Sequence, residues 1–142
     1  MRKRNRREAG VTLIEMMVVV VIIALFAALV LPRMLGQADR GRVTAARAQI
    51  NAYMTALGSY KMDNGGYPTT EQGLQALRDK PENATNWQGP YTDKEISADP
   101  WHHPYVYRFP GEHGDDPDIL CYGADGQPGG DGINADIVSW KN

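Results

Sequence analysis

The fold follows from residues 10–31, which read GVTLIEMMVVVVIIALFAALVL. Between 11 and 31 only Thr12 and Glu15 are polar, and no helix-breaking residue occurs before Pro32. A helix of about 21 residues is about 32 Å long, which matches the roughly 30 Å hydrocarbon core of a bilayer. The sequence therefore predicts a transmembrane helix over residues 11–31.

Charge is distributed unevenly on either side of this helix. Residues 1–10 carry five of the 15 lysines and arginines and one of the 17 acidic residues. This leader therefore has a net charge of +4 (5 − 1), and the remaining chain has a net charge of −6 (10 − 16). Because positive flanks stay in the cytoplasm, we expect the body of the chain on the outer side of the membrane. The split excludes a uniformly basic nucleic-acid-binding protein, and a single cysteine, Cys121, excludes a disulfide-rich scaffold.

Glu15 is the exception within the apolar run. An unpaired carboxylate in lipid costs about 2.5 kcal/mol or more, so an acid in a membrane helix suggests a function and a cationic partner. Residues 11–31 contain no Lys, Arg or His, but cleavage after Gly10 would create an ammonium group at a similar depth. The partner could belong to another copy of the chain. The alternative for Glu15 is a protonated glutamic acid at the interface. The alternative for the apolar run as a whole is a cleaved secretory signal, which its length and its end at Leu31-Pro32-Arg33 disfavour.

An amphipathic helix is predicted to follow, within residues 32–66. Pro32, Gly36 and Gly41 predict a kink or a locally melted segment near its start. The helix is predicted to stop at Asp63-Asn64-Gly65-Gly66. Apolar side chains recur at spacings of three and four, which is the stripe that packs a helix against a core: Val43, Ala46, Ile50, Tyr53, Met54, Leu57 and Tyr60.

Residues 67–142 are predicted to form a small globular head. Thr69 and Gln72 have the spacing of a capping box, which would open a short helix reaching about Arg78. An antiparallel three-stranded sheet packed on the long helix gives an α+β fold. Alternating β-branched and aromatic residues place the strands at Tyr105–Phe109, Asp118–Tyr122 and Asp136–Trp140. The tryptophans expected at the edges of the core are Trp87, Trp101 and Trp140.

Residues 123–136, GADGQPGGDGINAD, form an acidic, glycine-rich segment between the last two predicted strands. Ca²⁺ requires hard oxygen donors, six to eight of them at about 2.4 Å, on turns of the kind that glycine permits. The spacing does not fit an EF-hand, and no helix is predicted after the glycines, as a dinucleotide fingerprint would need. A solvated acidic turn without metal is the alternative. The candidate side chains are Asp125, Asp131, Asn134 and Asp136.

Catalytic patterns in the sequence are weak. Cys121 with His102, His103 or His113 could be drawn as a nucleophile and its base, but Cys121 lies in an apolar strand and is predicted to be a buried thiol. The adjacent side chains of His102 and His103 point apart, so a metal site there would need a third ligand. The sequence contains no phosphate-binding loop, paired catalytic carboxylates or hydrolase elbow. We therefore do not expect an enzyme.

Two sets of motifs resemble known families. Gly10-Val11-Thr12-Leu13-Ile14-Glu15 after a basic leader resembles the class III signal of type IV pilins and pseudopilins. Further motifs between residues 67 and 137 are similar to those of the major pseudopilins, or G subunits, of type II secretion systems. These are YPTTEQGL at 67–74, DPW at 99–101, PY at 104–105, YGADG at 122–126 and ADI at 135–137. The resemblance covers residues 10–140 and implies a pilin-like fold.

The resemblance implies how the chain is processed and assembled. Prepilin peptidase would cut between Gly10 and Val11 and N-methylate Val11, which stands where the family usually has phenylalanine or methionine. Residues 11–31 would anchor the subunit in the inner membrane and then form the filament core, with Glu15 serving assembly. The homopolymer would be a periplasmic pseudopilus that drives folded proteins across the outer membrane. Its implied partners are minor pseudopilins and an inner-membrane assembly platform with a cytoplasmic ATPase.

The resemblance also implies one Ca²⁺ in the loop of the head. Asp136 would instead hydrogen-bond the loop, and His102-His103 stands where the family often has Gly-Asn. The implied ligands are the side chains of Asp125, Asp131 and Asn134 and the backbone carbonyls of Tyr122 and Ile137.

Two other functions stay open at this point. One is a type IV pilus or DNA-uptake pilin, which the missing cysteine pair and the calcium loop argue against. The other is a membrane-anchored calcium-binding module that never polymerises. A simple anchor has no use for a carboxylate in its membrane helix, so Glu15 discriminates between a filament subunit and a module that never polymerises.

Overall fold

The structure is a computed structural model that describes residues 10–141, so the leader over residues 1–9 lies outside the described part. The first element, α1, spans Leu13–Asn64 and continues through Pro32. This continuity contradicts the locally melted segment that we predicted near Pro32, whereas the predicted kink stays a prediction. Strong helix formers surround this proline and offset a local cost of about 3 kcal/mol.

Contacts divide the chain into two units, and the boundary falls within α1 between Ala38 and Asp39. The described part of the first unit contains Leu13–Val30, the one helical segment among residues 10–141 that is long and apolar enough to cross a membrane. None of this segment is buried. Because so many large apolar side chains are uncovered within their own unit, we infer that lipid or other chains must cover them.

The second unit begins with the amphipathic half of α1. The predicted stripe faces its core, and Ile50, Tyr53 and Leu57 are almost completely buried. Gly65 terminates the helix with φ +78°, and its N–H donates to the Lys61 carbonyl at 2.8 Å. This is the left-handed cap that glycine provides at a helix C-terminus. The amphipathic face and its predicted stop are both confirmed.

Three short strands form one antiparallel sheet in chain order. They are β1, Val106–Arg108; β2, Asp118–Cys121; and β3, Ile137–Val138. Val106 pairs with Leu120, and Cys121 pairs with Ile137. All three lie within the predicted ranges, but each is shorter than predicted. The segments that flank β1 and β2 contain proline and glycine, which end strand pairing earlier than the apolar pattern suggests.

The capping box of the head has the predicted geometry. The Thr69 N–H donates to Gln72 Oε1 at 2.9 Å, and the Gln72 N–H donates to Thr69 Oγ1 at 3.3 Å. The helix that follows is only a 3₁₀ turn, Leu74–Leu77, rather than an α-helix reaching Arg78. Gly73, at φ +60°, separates the box from this turn. A residue in the left-handed region cannot propagate a right-handed helix.

The core lies between the sheet and the buried stripe of α1. Trp87 and Trp101 pack against it, as predicted. Trp140 instead stacks on His113, with ring centroids 3.7 Å apart and planes inclined by 6°. His113 Nδ1 lies 2.8 Å from a carboxylate oxygen of the buried Asp118, which holds the imidazole in place for the stack.

Candidate functional sites

The first candidate site is the start of α1. Gly10 and Val11 are exposed, which leaves the peptide bond between them accessible. The Glu15 N–H donates to Thr12 Oγ1 at 3.3 Å, and the Met16 N–H donates to the Thr12 carbonyl at 3.2 Å. Thr12 therefore caps the helix.

We did not predict this cap, which engages the backbone N–H of Glu15 rather than its carboxylate. Thr12 and Glu15 have the Thr-x-x-Glu spacing of a capping box, so the signal was present in the sequence. A carboxylate in the first turn of a helix is also favoured by the helix dipole, by about 0.3–1 kcal/mol at an exposed position. That is less than the roughly 2.5 kcal/mol cost of an unpaired charge in lipid. Capping alone does not explain why Glu15 stands in an apolar run.

The second candidate site is the loop at residues 123–136, which we call the glycine loop. The pairing of Cys121 with Ile137 holds its two ends side by side. Inside the loop, the Ala124 N–H donates to the Ile133 carbonyl at 3.0 Å. This hydrogen bond closes the loop near its base. Five glycines in the loop have positive φ, at positions 123, 126, 129, 130 and 132.

Two of these glycines are required by close backbone approach. A Cβ on Gly123 would lie 2.8 Å from the carbonyl oxygens of both Ile133 and Asn134. A Cβ on Gly130 would lie 2.6 Å from the Asn134 carbonyl oxygen. The loop is therefore folded around a small cradle of backbone oxygens that any other residue type would fill.

The predicted side-chain ligands lie around this loop but do not form a compact acidic cluster. Asp125 is exposed, and its Oδ1 accepts the Gln127 N–H at 3.1 Å. Asp131 is also exposed, and its carbonyl accepts the Asn134 N–H at 3.1 Å. Among residues 10–141, no three His, Cys, Asp or Glu side chains are grouped so that they could hold a metal. Any cation in the loop would depend on carbonyl and amide oxygens as well.

The two carboxylate oxygens of Asp136 have different surroundings, which its sequence position does not reveal. Its Oδ2 accepts the Gly129 N–H at 2.9 Å, which confirms the expectation that Asp136 hydrogen-bonds the loop. Its Oδ1 is buried and has no hydrogen-bond partner among the described residues. A buried carboxylate oxygen without a partner is costly, and a cation would satisfy it.

A buried hub connects the glycine loop to the segment before β1. Asp99 is 4% exposed, and its Oδ1 accepts the N–H groups of Trp101 and His103 at 2.9 and 2.8 Å. Its Oδ2 accepts Cys121 Sγ–H at 3.0 Å. Burial, assisted by this hydrogen bond, raises the pKa of the Cys121 thiol to about 12. The prediction of a buried thiol is confirmed, and a thiol with so high a pKa is a poor nucleophile at neutral pH.

The two adjacent histidines have different surroundings. His103 Nδ1 lies 3.2 Å from the Gly123 carbonyl oxygen of the glycine loop. His102 lines an open groove of about 460 Å³, whose other lining residues include Gln75 and Tyr105. It also has φ +73°, a left-handed conformation that is unusual for a residue other than glycine. Nothing in the sequence pattern distinguishes these roles.

Comparison with known proteins identifies both parts of the chain. Residues 33–140 match the family model described as type II secretion system (T2SS), protein G. Residues 5–31 match the prokaryotic N-terminal methylation motif. Together the two matches cover the apolar helix, the amphipathic helix and the head.

Similar proteins come from several genera. Type II secretion system core protein G of Pseudomonas aeruginosa is 44% identical over 142 residues, which cover 98% of this chain and 99% of that protein. The Vibrio cholerae protein of the same name is 44% identical, with coverage of 98% and 96%. The crystal structure of the major pseudopilin from the type 2 secretion system of enterohaemorrhagic Escherichia coli superposes with a TM-score of 0.63 at 34% identity. It covers 77% of this chain and 95% of that one.

Proposed function

The chain belongs to the type II secretion system protein G family, and from this premise we propose how its two sites serve a secretion filament. It is a major pseudopilin, a structural subunit rather than an enzyme. The observation that supports polymerisation most directly is the apolar segment Leu13–Val30, which is uncovered within its own unit. In the filament, neighbouring copies would bury the surface that lipid covers before assembly.

We propose that Met1–Gly10 is removed by prepilin peptidase and that Val11 becomes the N-methylated first residue. The match to the N-terminal methylation motif and the exposure of Gly10 and Val11 support this. The head lies in the periplasm, because the basic leader stays in the cytoplasm. Mass spectrometry of the mature protein should show a chain that begins at Val11. A substitution of Gly10 by leucine should leave the precursor uncut, whereas Gly41→Ala, in open space on α1, should be processed normally.

Glu15 is proposed to pair with the Val11 amine of a neighbouring copy. The processed amine and this carboxylate are charges of opposite sign near the same end of α1. Bringing them together in a water-poor filament core offsets the cost of burying either charge alone. Energy for assembly would come from a cytoplasmic ATPase acting through an inner-membrane platform. Minor pseudopilins are proposed as further members of the filament.

The glycine loop is proposed to bind one Ca²⁺. The buried, partnerless Oδ1 of Asp136 and the crowded carbonyls near Asn134 fit a hard cation that takes many oxygen ligands. When bound, Ca²⁺ would neutralise the loop's carboxylates and fix the register between β2 and β3. The ligands that the resemblance implies are the side chains of Asp125, Asp131 and Asn134 and the carbonyls of Tyr122 and Ile137. We add the side chain of Asp136 to this set.

This proposal predicts a calcium-dependent thermal stability. A ligand that binds only the folded state stabilises it by about 2.7 kcal/mol at a hundredfold excess over Kd. The mature chain in detergent should therefore melt several degrees lower in chelator and recover with Ca²⁺ more than with Mg²⁺, which demands a tighter octahedral site. Asp125→Ala should remove the calcium response, whereas Asp115→Ala, an exposed acid in the β1–β2 loop, should retain it. A melting temperature indifferent to chelator and Ca²⁺ would refute the proposal.

A genetic test addresses the filament itself. In a strain that lacks the chain, the wild-type gene should restore both pseudopilus formation and export of folded proteins to the medium. Normal export without any filament in cells that produce the mature chain would contradict the proposed role.

A further inference from the structure

The glycine loop has little stiffness of its own, so contacts from elsewhere in the fold matter for its shape. Five of its residues are glycines with positive φ. Glycine loses more conformational entropy on folding than other residues do, so ordering this loop is costly. Asp125, which lies between Gly123 and Gly126, is exposed, and among residues 10–141 its side chain accepts a hydrogen bond only from the Gln127 N–H within the loop. Its position must be set by the backbone on either side of it.

His103 contacts the backbone on both sides of Asp125. Its Nδ1 lies 3.2 Å from the Gly123 carbonyl oxygen, two residues before Asp125. Its ring also lies under Gly126, because a Cβ on that glycine would be 3.0 Å from both His103 Cε1 and Nε2. One imidazole thus contacts both ends of the four-residue segment, residues 123–126, that carries the proposed calcium ligand.

The surroundings assign the hydrogen on this imidazole. Nδ1 faces two acceptors, the Gly123 carbonyl at 3.2 Å and Asp99 Oδ2 at 3.8 Å. A nitrogen between two acceptors carries a proton, so Nδ1–H donates to Gly123. Nε2 is then left on the side of Gly126.

The backbone of His103 is itself held by Asp99. This buried carboxylate accepts the backbone N–H of His103 at 2.8 Å and Cys121 Sγ–H at 3.0 Å. Cys121 is the last residue of β2, two positions before Gly123. The hub therefore fixes both the residue that supplies the imidazole and the strand from which the loop departs.

We propose that His103 is a positioning residue of the calcium loop, which brackets Asp125 by donating to Gly123 and packing under Gly126. This inference rests on the proposed Ca²⁺ site. It makes affinity for the cation depend on a side chain that is outside the loop and is not itself a ligand.

Two substitutions of nearly equal size separate the hydrogen bond from the bulk of the side chain. In His103→Asn, the amide nitrogen occupies the same place along the side chain as Nδ1 and can still donate to Gly123. His103→Leu has a similar shape but no donor. Calorimetric titration of the mature chain in detergent should show Kd for Ca²⁺ about tenfold weaker for His103→Leu, as for the loss of one hydrogen bond. The value for His103→Asn should stay within about threefold of wild type.

His102→Leu is the matched control. It removes the imidazole of the neighbouring residue, which lines the open groove rather than the glycine loop. Its Kd should remain within about twofold of wild type, since no hydrogen bond to the loop is lost. If the His103→Leu and His102→Leu variants bind Ca²⁺ equally well, His103 has no positioning role.

Packing against Gly126 is tested by a double-mutant cycle. Gly126→Ala introduces strain at φ +66° in any background, but it collides with the imidazole only when His103 is present. The loss of Ca²⁺ affinity caused by Gly126→Ala should therefore be smaller in the His103→Ala background. Equal losses in the two backgrounds would overturn the packing part of the proposal.

Hydrogen exchange in chelator separates this proposal from the calcium proposal. In His103→Leu, amides at Gly126 and Gln127 should exchange severalfold faster, while those of β2 stay protected. If wild type binds no Ca²⁺, the calcium site is refuted, and exchange alone then decides whether His103 positions the loop. Unchanged exchange at both amides would overturn the positioning role whether or not Ca²⁺ binds.

Discussion

The apolar segment Leu13–Val30 and the glycine loop are completed in opposite ways. The segment has regular internal structure but no cover within its own unit. The loop has almost no regular structure, yet its ends are joined by the sheet and its backbone folds onto itself. The segment depends on what surrounds it in lipid or a polymer, and the loop depends on contacts with the interior of the head and, in our proposal, on a cation.

This contrast separates two kinds of substitution. Changes in the apolar segment should act on assembly and leave the stability of the head almost unchanged. Changes in or behind the loop should act on the head and leave membrane insertion intact. Each expectation below would fail visibly if the two regions were not independent in this way.

The largest effect is expected at Glu15. Glu15→Ala removes a carboxylate from the membrane, so insertion should persist. The amine of the neighbouring subunit would then have no partner. Filament yield should fall by at least about a hundredfold, because an uncompensated buried charge costs about 3 kcal/mol or more. Membrane fractionation and filament counts by electron microscopy measure the two outcomes. Thr12→Val, which removes the cap but keeps the acid, should still assemble. Filaments of wild-type abundance from Glu15→Ala would disprove the pairing.

The same substitution at two leucines compares the regions directly. Leu57 is fully buried in the head, so Leu57→Ala should lower the free energy of unfolding by about 2–5 kcal/mol. Leu25 is 61% exposed, so Leu25→Ala should leave the melting temperature of the detergent-solubilised head unchanged while weakening assembly. Thermal melts followed by near-ultraviolet circular dichroism test both. A comparable drop for Leu25→Ala would mean that the apolar segment supports the head.

Alkaline pH should weaken the head through Cys121 first. Burial raises the pKa of this thiol from an ordinary value of 9.0 to about 12. The folded state therefore holds a proton that the unfolded state releases, and stability that is complete below about pH 9 is lost as pH rises toward about 12. The slope approaches about 1.4 kcal/mol per pH unit.

Cys121→Ser isolates this contribution in a narrow window. Serine keeps a donor for Asp99 but does not ionise in this range, so between pH 9 and 10 its stability should fall less steeply than that of wild type. The buried tyrosines, whose pKa values are also raised from 10.0, contribute only at higher pH. Denaturant unfolding at half-unit pH steps provides the slopes. Parallel curves for the two proteins would contradict the assignment.

The smallest effect is expected at His102. Its φ of +73° is strained for any side chain with a Cβ, so His102→Gly should stabilise the head by about 1 kcal/mol or less, after the entropy that glycine adds to the unfolded chain. Chemical denaturation of wild type and variant measures the difference. His102→Ala, which retains the Cβ, should show no such gain.

Periodicity predicted the helices and strands well because their positions depend on local pattern and burial. The stripe of α1, its stop near Gly65 and all three strand locations are confirmed. The helix continues through Pro32, Gly36 and Gly41 because the leucines, alanines and methionine around them favour helix, which single breaker residues do not reveal. The short helix after Gln72 was overestimated because the left-handed backbone of Gly73 cannot be seen in a capping pattern.

The site was predictable only in part. Composition indicated the glycine loop as a candidate calcium site, and both the calcium and its ligand set remain predictions. Asp136 Oδ1 is buried without a hydrogen-bond partner among the described residues, and His103 contacts the Gly123 carbonyl. Both features depend on the folded arrangement, which spacing along the sequence does not encode. The cap at Thr12 follows from the local Thr-x-x-Glu spacing, which is not apparent when Glu15 is treated only as a charge in the membrane.

The brevity of the outer strands has a consequence for a protein that must crowd together in large numbers. β1 has three residues and β3 has two, so each edge of the sheet offers few unpaired N–H and C=O groups to another head. Edge-to-edge pairing, the usual route to amyloid-like aggregation, has little to build on. Heads can therefore be concentrated along a fibre without fusing into a common sheet, and the order of the polymer is left to the helices.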